Sequence, residues 1–262
     1  PGALIFVEGA PGGDDPAWGP GDAPQIVYAP HWYDVAVLVF RRYSPFVAIG
    51  QRGLVIGPGR IRRSLAAQLA HHKQQAATRM GGVPTLIGEF GISYNLRGSK
   101  AYRTADFRAQ ERAMDRSMRA LEDNLLSWTL WNYTADNTNE RGDQWNDEDL
   151  SIFSRDQQAD PGDVNSGGRA LRAVVRPYAQ RVAGEPLRMA FDMRRRLFEL
   201  EFRHDPQVTA PTEVFVPAFQ YQRGYSVEVS DGSYEEDRAN QMLIYRHGGE
   251  RQTHLVRVGP AG

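Results

Sequence analysis

Glu89 stands at the end of the apolar run Pro84-Thr-Leu-Ile-Gly-Glu-Phe-Gly91, where a buried strand gives way to a glycine-flanked turn. A strand fixes the backbone and the glycines leave room for another molecule, so a carboxylate there is placed for chemistry rather than for solubility. A held carboxylate is the usual nucleophile toward an acetal carbon. It forms a covalent ester through an oxocarbenium-like transition state, and water later breaks that ester. A glutamate at a strand end can instead cap a helix or accept from an arginine. The Gly-Glu-Phe-Gly frame in a strand-to-helix context favours the chemical reading.

Pro30-His31-Trp32-Tyr33-Asp34 ends an earlier apolar stretch, and its residue types suit a sugar site. His31 and Trp32 offer a hydroxyl partner and a ring face, and the Tyr33 phenol can donate to a carboxylate on the next strand. Core packing of the same three rings is the plain alternative. Trp131 closes the run Ser127-Trp-Thr-Leu-Trp-Asn-Tyr133, where an indole can stack on a pyranose or fill a core. All five tryptophans (18, 32, 128, 131, 145) lie before residue 146, mostly at expected strand ends or in the following loops. Glu8, at the end of the first apolar run, is placed to line a substrate rim.

The elements that must hold these groups follow from periodicity. Leu4 to Val7, Gln25 to Ala29, the Glu89 segment and Ser127 to Tyr133 read as buried strands. A surface loop over 9–24 joins the first two. Ile61, Leu65, Leu69 and Ala76 fall near helical spacing over 60–80 behind Pro58-Gly59, and Phe107, Met114, Met118, Leu121 and Leu125 repeat at threes and fours behind Thr104 or Asp106. Strands alternating with helices imply a parallel sheet, and sites on such sheets sit at the carboxyl ends. Four such strands with long carboxyl-end loops make half of an α/β barrel. An Asp- and Asn-rich loop over 135–168 is expected to cap the site, and a last helix is expected over 169–182. After Gly184-Glu-Pro186 the pattern changes to strands over 197–202, 213–216, 225–229, 241–245 and 254–258, divided by turns such as Asp231-Gly232. The expected organisation is an α/β catalytic domain over 1–183 and an antiparallel β-sandwich over 184–262.

Composition narrows the partners. Lys and Arg number 31 against 32 Asp and Glu, so no net field draws the chain to nucleic acid or an anionic membrane. There is no cysteine, which excludes thiolate catalysis and cysteine metal sites. No apolar run approaches the roughly 18 to 20 residues that span a bilayer. Asn137-x-Asn139-x-Arg141-Gly142-x5-Glu148 imitates a calcium loop, but asparagine leads it and a cation occupies a ligand position. The six histidines are scattered, and His71-His72 reads as a solvated helix face, so neither a metal nor another cofactor is expected. Arg194-Arg195-Arg196 reads as an exposed edge charge.

Pro30-His-Trp-Tyr-Asp34, Ile87-Gly-Glu-Phe-Gly91, Leu130-Trp-Asn-Tyr133 and Gly142-Asp-Gln-Trp-Asn-Asp-Glu-Asp-Leu-Ser-Ile152 together resemble the endoglycoceramidase-related branch of glycoside hydrolase family 5, above all its fungal glucosylceramide and steryl-glucoside β-glucosidases. The likeness in order and spacing covers nearly the whole chain. It implies that the four strands are the fifth to eighth of a (β/α)8 TIM barrel, followed by a β-sandwich. By the same resemblance Glu89 is the nucleophile of a retaining β-glycosidase, His31 and Tyr33 match substrate-contact and nucleophile-orienting positions, and Trp131 is a sugar platform. The family's acid/base is the glutamate of an Asn-Glu-Pro motif on the fourth strand, and the sequence contains no Asn-Glu-Pro. Gly184-Glu185-Pro186 falls on the wrong side of the nucleophile. The chain also begins at Pro1 inside what reads as a strand. The expected partners are therefore the missing amino-terminal half of the barrel, a glycolipid or other β-glucoside, and a transient membrane-lipid surface. Alone, the half barrel is expected to be inactive, and to aggregate or dimerise through exposed strand edges. A β-glucanase or another β-glucosidase, and a non-catalytic carbohydrate or lipid binder, remain open. So does the role of Phe46, Val47, Ile49, Leu54, Val55 and Ile56, which could line a lipid channel or form an ordinary packed insertion.

Overall fold

The computed structural model describes residues 2–10 and 16–261, so part of the expected 9–24 loop, and Pro1, lie outside the described residues. The chain divides into two units, Pro1–Leu171 and Arg172–Gly262. In the first, short apolar runs become parallel strands; β2 is buried throughout, whereas Leu4, Ile5 and Phe6 are exposed, so the burial expected of the first strand is corrected. β1 (Ile5–Val7) pairs with β2 (Ile26–Tyr28), and Ile5 lies opposite Ile26. After α1 (Val35–Leu38), the hairpin β3 (Val47–Gly50) and β4 (Gly53–Ile56), and α2 (Pro58–Arg79), the chain returns as β5 (Leu86–Phe90). β2 joins β5 through parallel bridges at Tyr28 and Thr85 and at His31 and Glu89. Next come α3 (Leu96–Thr104), α4 (Arg108–Glu122) and β6 (Ser127–Leu130), with β6 parallel to β5. Four parallel strands in chain order are the result.

The helices form where the apolar spacing demands. Ile61, Leu65, Leu69 and Ala76 are the buried face of α2, and Met114, Met118 and Leu121 belong to that of α4. Each fully buried Leu or Ile contributes roughly 1.5–3 kcal/mol. Proline at the start of α2 costs nothing, since its missing N–H has no partner in a first turn. Among the described residues no helix is long and apolar enough to cross a membrane.

Beyond β6 the loop is held by a buried ion pair. Arg169 reaches Asp149 with two bonds of 2.8 and 2.6 Å, lies 4.2 Å from the Tyr94 ring centroid, and is fully buried. Tyr102 and Asn137 complete the donors to Asp149. The helix expected over 169–182 is corrected: α5 covers only Leu171–Val174, and Tyr178–Arg181 is strand β7. Pro177 cannot supply a helix hydrogen bond, and the chain extends from there. The boundary expected at 183/184 therefore falls inside the second unit.

That unit contains β8 (Gly184–Asp192), β9 (Leu197–His204), β10 (Thr212–Phe215), β11 (Tyr225–Val229), β12 (Ser233–Asp237), β13 (Met242–Arg246) and β14 (Thr253–Pro260). With β7 they make two four-stranded antiparallel sheets, ordered β12-β13-β10-β7 and β11-β14-β9-β8. Alternation drives inward one side chain in two, and Phe198, Leu200, Phe202, Val256 and Val258 meet Val214, Leu243 and Tyr245 in a single core.

Candidate active site

Glu89 lies at the carboxyl end of β5, and its carboxylate has partners from the neighbouring strand end. Tyr33 Oη donates to Oε1, and His31 Nδ1 lies 3.5 Å from Oε2. The other nitrogen of His31 lies 2.8 Å from Glu8 Oε2, just beyond β1. The carboxyl ends of β1, β2 and β5 thus supply one chain of contacts, Glu8 to His31 to Glu89 to Tyr33. The bridge between His31 and Glu89, with Trp32 N donating to Glu89 O at 2.9 Å, fixes the register that creates it. Glu89 has no arginine partner among the described ion pairs. Burial, and then the hydrogen bond to Glu89, push the Tyr33 phenol far above its ordinary value. Tyr33 therefore remains a donor at every working pH.

Strand alternation sends Trp32 the other way. It is buried, and its indole N–H donates to Gln68 of α2 at 3.1 Å, so the substrate contact expected of it is corrected to core packing behind the sheet. Trp131 does stand at the site end of β6, where its N–H donates to Phe90 O at 2.8 Å and the Trp131–Asn132 peptide is cis. Gly91 makes this approach possible: a Cβ at that position would collide with the Trp131 carbonyl oxygen. Asp34, the last of the Pro30–Asp34 run, caps α1 and pairs with Arg116 at 2.5 Å.

The loop after β6 brings two further acids toward Glu89. Asp143 accepts from Asn132 Nδ2 at 2.9 Å, Trp145 N at 3.2 Å and Leu150 N at 3.1 Å, which curls residues 142–150 around one carboxylate. Gly142, at φ +59°, allows the curl, because a side chain there would be strained and would strike Glu148 O. Glu148 is pushed above the usual carboxylate range by burial, then by the negative charges of Asp143 and Glu89, while Arg41 opposes the shift. It therefore feels the nucleophile candidate's charge. The calcium-loop mimicry sets Glu148 aside, and only its place in the 135–168 loop expected to cap the site ties it to Glu89. Trp145 and Tyr133 expose their rings in this same segment.

The six histidines do not stay scattered. His204, His247 and His254 converge in the second unit, which corrects the expectation that no metal-ligating set exists.

Residues 176–258 match the glycoside hydrolase family 5 C-terminal domain. The chain is 32% identical over 246 residues to a glucosylceramidase of Rhizopus delemar, covering 85% of this chain and 36% of that protein. It is 26% identical to the ergosteryl-beta-glucosidase of Saccharomyces cerevisiae, covering 85% of this chain and 38% of the relative. The crystal structure of Cryptococcus neoformans sterylglucosidase 1 superposes with a TM-score of 0.84 at 28% identity, over 91% of this chain and 39% of that one. The resemblance to glycoside hydrolase family 5 and its glycolipid-acting members is thus borne out. The chain spans well under half the length of the relatives it matches.

Proposed function

We propose that this chain supplies strands five to eight of a (β/α)8 barrel and the β-sandwich of a retaining β-glucosidase that cleaves a glycolipid, with glucosylceramide and steryl glucosides as the substrate class. The observation that carries the reading is the Glu89 carboxylate clasped by Tyr33 and His31 at the carboxyl ends of adjacent parallel strands. In the reaction Glu89 attacks the anomeric carbon, and the glucosidic oxygen leaves with a proton from a second carboxyl group. Water then attacks the glucosyl ester, giving up its proton to that second group. Tyr33 keeps one Glu89 oxygen occupied, so the other faces the sugar. Glu8 accepts from sugar hydroxyls, and His31 donates to them or accepts from them. Trp131 offers an apolar ring edge beside them.

The second carboxyl group must stand about 5 to 5.5 Å from Glu89 for retention. We assign it to an Asn-Glu-Pro strand end of the barrel half that completes this one. Relatives that act on lipid glucosides support the aglycone class. So does the apolar surface of Val39, Phe40, Phe46, Leu54 and Ile56, all exposed around the β3–β4 hairpin. The test is product stereochemistry. Proton NMR of the first sugar released by the complete protein should show the β-anomer, with Glu89→Gln inactive yet still binding. Release of the α-anomer, or an active Glu89→Gln variant, contradicts the assignment.

A further inference from the structure

The second unit gathers three imidazoles that the reaction does not use. His204 ends β9, His254 is the second residue of β14, and His247 follows β13 on the opposite sheet. One ring nitrogen of each lies within 4.8 Å of the other two, and His204 Nδ1 faces His254 Nε2 at 2.9 Å. Solvent does not explain the grouping, since His254 is fully buried and the other two are partly so. The rings of His204 and His247 stack at 4.8 Å, and the His247 and His254 rings lie 4.7 Å apart. Three imidazoles so close cannot all be imidazolium cations. Burial, then His254 and His204, hold His247 toward its neutral form.

A carboxylate fixes the set from behind. Asp231, in the turn between β11 and β12, meets His254 Nδ1 at 2.9 Å and also accepts from Tyr245 Oη at 2.5 Å. The bond at Nδ1 keeps the proton there and leaves His254 Nε2 with a free lone pair aimed at His204. A carboxylate behind an imidazole is the arrangement that orients a metal-ligating histidine and raises its basicity. Phe202 flanks His254 and His247 at 5.3 and 6.1 Å and gives the cluster an apolar wall.

We propose that His204, His247 and His254 form a binding site for a divalent transition metal of the zinc type, with Asp231 holding His254 and a fourth position left to water. Neutral imidazoles suit such ions, and a zinc–nitrogen bond of about 2.0–2.1 Å puts tetrahedral ligand atoms about 3.4 Å apart. The ring nitrogens already lie within 4.8 Å of one another, so the ion would draw them together by little more than about 1 Å. The proton shared between His204 Nδ1 and His254 moves to His204 Nε2, so both facing lone pairs are freed without net proton release. Because His204 and His254 come from one sheet and His247 follows a strand of the other, the ion would tie the two sheets together. Its binding free energy would then add to the stability of this unit.

The test is metal titration of the full 262-residue chain, prepared without a polyhistidine tag and stripped with chelator. Zinc should bind at one equivalent with a rise in the thermal midpoint, and cobalt(II) should give the visible bands of a tetrahedral site. His247→Gln should remove this binding, and Asp231→Asn should weaken it about 10–100-fold. A His71→Gln, His72→Gln double variant, altered on the first unit's paired histidines, should bind as the parent does. Zinc-edge X-ray absorption of the unaltered chain needs no variant and should count three imidazoles. Absence of stoichiometric binding, binding untouched by His247→Gln, loss in the His71, His72 variant, or fewer than three imidazoles would each overturn the proposal.

Discussion

Replacing Arg169 by Met tests whether the buried ion pair holds the segment that carries Asp143 and Glu148. Methionine keeps most of the volume, so the change removes charge and donors rather than packing. Arg169 gives Asp149 two bonds of 2.8 and 2.6 Å in a site where both side chains are almost fully buried. Removing one partner of such a pair typically costs about 3–5 kcal/mol, because a charge is left buried alone. Tyr102 and Asn137 still donate to Asp149, which puts the expected loss near the lower end, about 3 kcal/mol. With a urea dependence of about 2 kcal/mol per molar, the midpoint should fall by about 1.5 M. In the 262-residue chain tryptophan fluorescence reads the relevant unit alone, since all five of its tryptophans lie before residue 146. Adding Asp149→Asn should restore much of the loss, because a neutral pair needs no counter-charge. A midpoint shift below about 0.3 M, or a double variant worse than the single one, would refute the reasoning.

In the complete protein, Tyr33→Phe should lower kcat far more than it raises KM. A hydrogen bond to a charged group is worth about 1.5–3 kcal/mol, so steady-state kinetics should show a loss of roughly 10- to 150-fold in kcat/KM. Glu148→Gln should raise the urea midpoint of the first unit slightly while lowering turnover, because folding opposes the ionisation of Glu148 beside Asp143 and Glu89. Asp231 is expected to shape acid stability. Burial pushes its pKa up, yet hydrogen bonds from Tyr245 and His254 outweigh this and the net shift is downward. Its stabilising effect is therefore complete above the unfolded carboxylate value of about 3.9 and is lost as pH falls through the lower folded value. Calorimetric melts of the metal-free chain should show that loss below about pH 4, with a flatter profile in Asp231→Asn.

What the sequence made legible was local. Ile61, Leu65, Leu69 and Ala76 announce α2, because burial imposes a period that neighbours in sequence share. The strand end carrying Glu89 was visible for the same reason, and so was the link to Tyr33 once two strand ends were read as neighbours. Trp32 was misread because an aromatic at a strand end points either to the site or to the helix behind, and only register decides which. The second unit's β7, β8 and β12 escaped notice. Arg181, Arg188 and Glu235 sit on exposed strand faces where polar residues dilute the apolar alternation. The histidine cluster was illegible for a stronger reason. Its members come from positions 204, 247 and 254 on three chain segments, and it takes the pairing of β9 with β14 and the packing of the two sheets to bring them together.

Covalent capture of the nucleophile tests the glycosidase reading most directly. A 2-fluoro β-glucoside with a strongly activated leaving group needs no acid for the first step and leaves a slow glucosyl ester behind. After digestion, mass spectrometry of the complete protein should place that sugar on the peptide containing Glu89, and Glu89→Gln should take up none. A label on another carboxylate, or full labelling without Glu89, would contradict the mechanism.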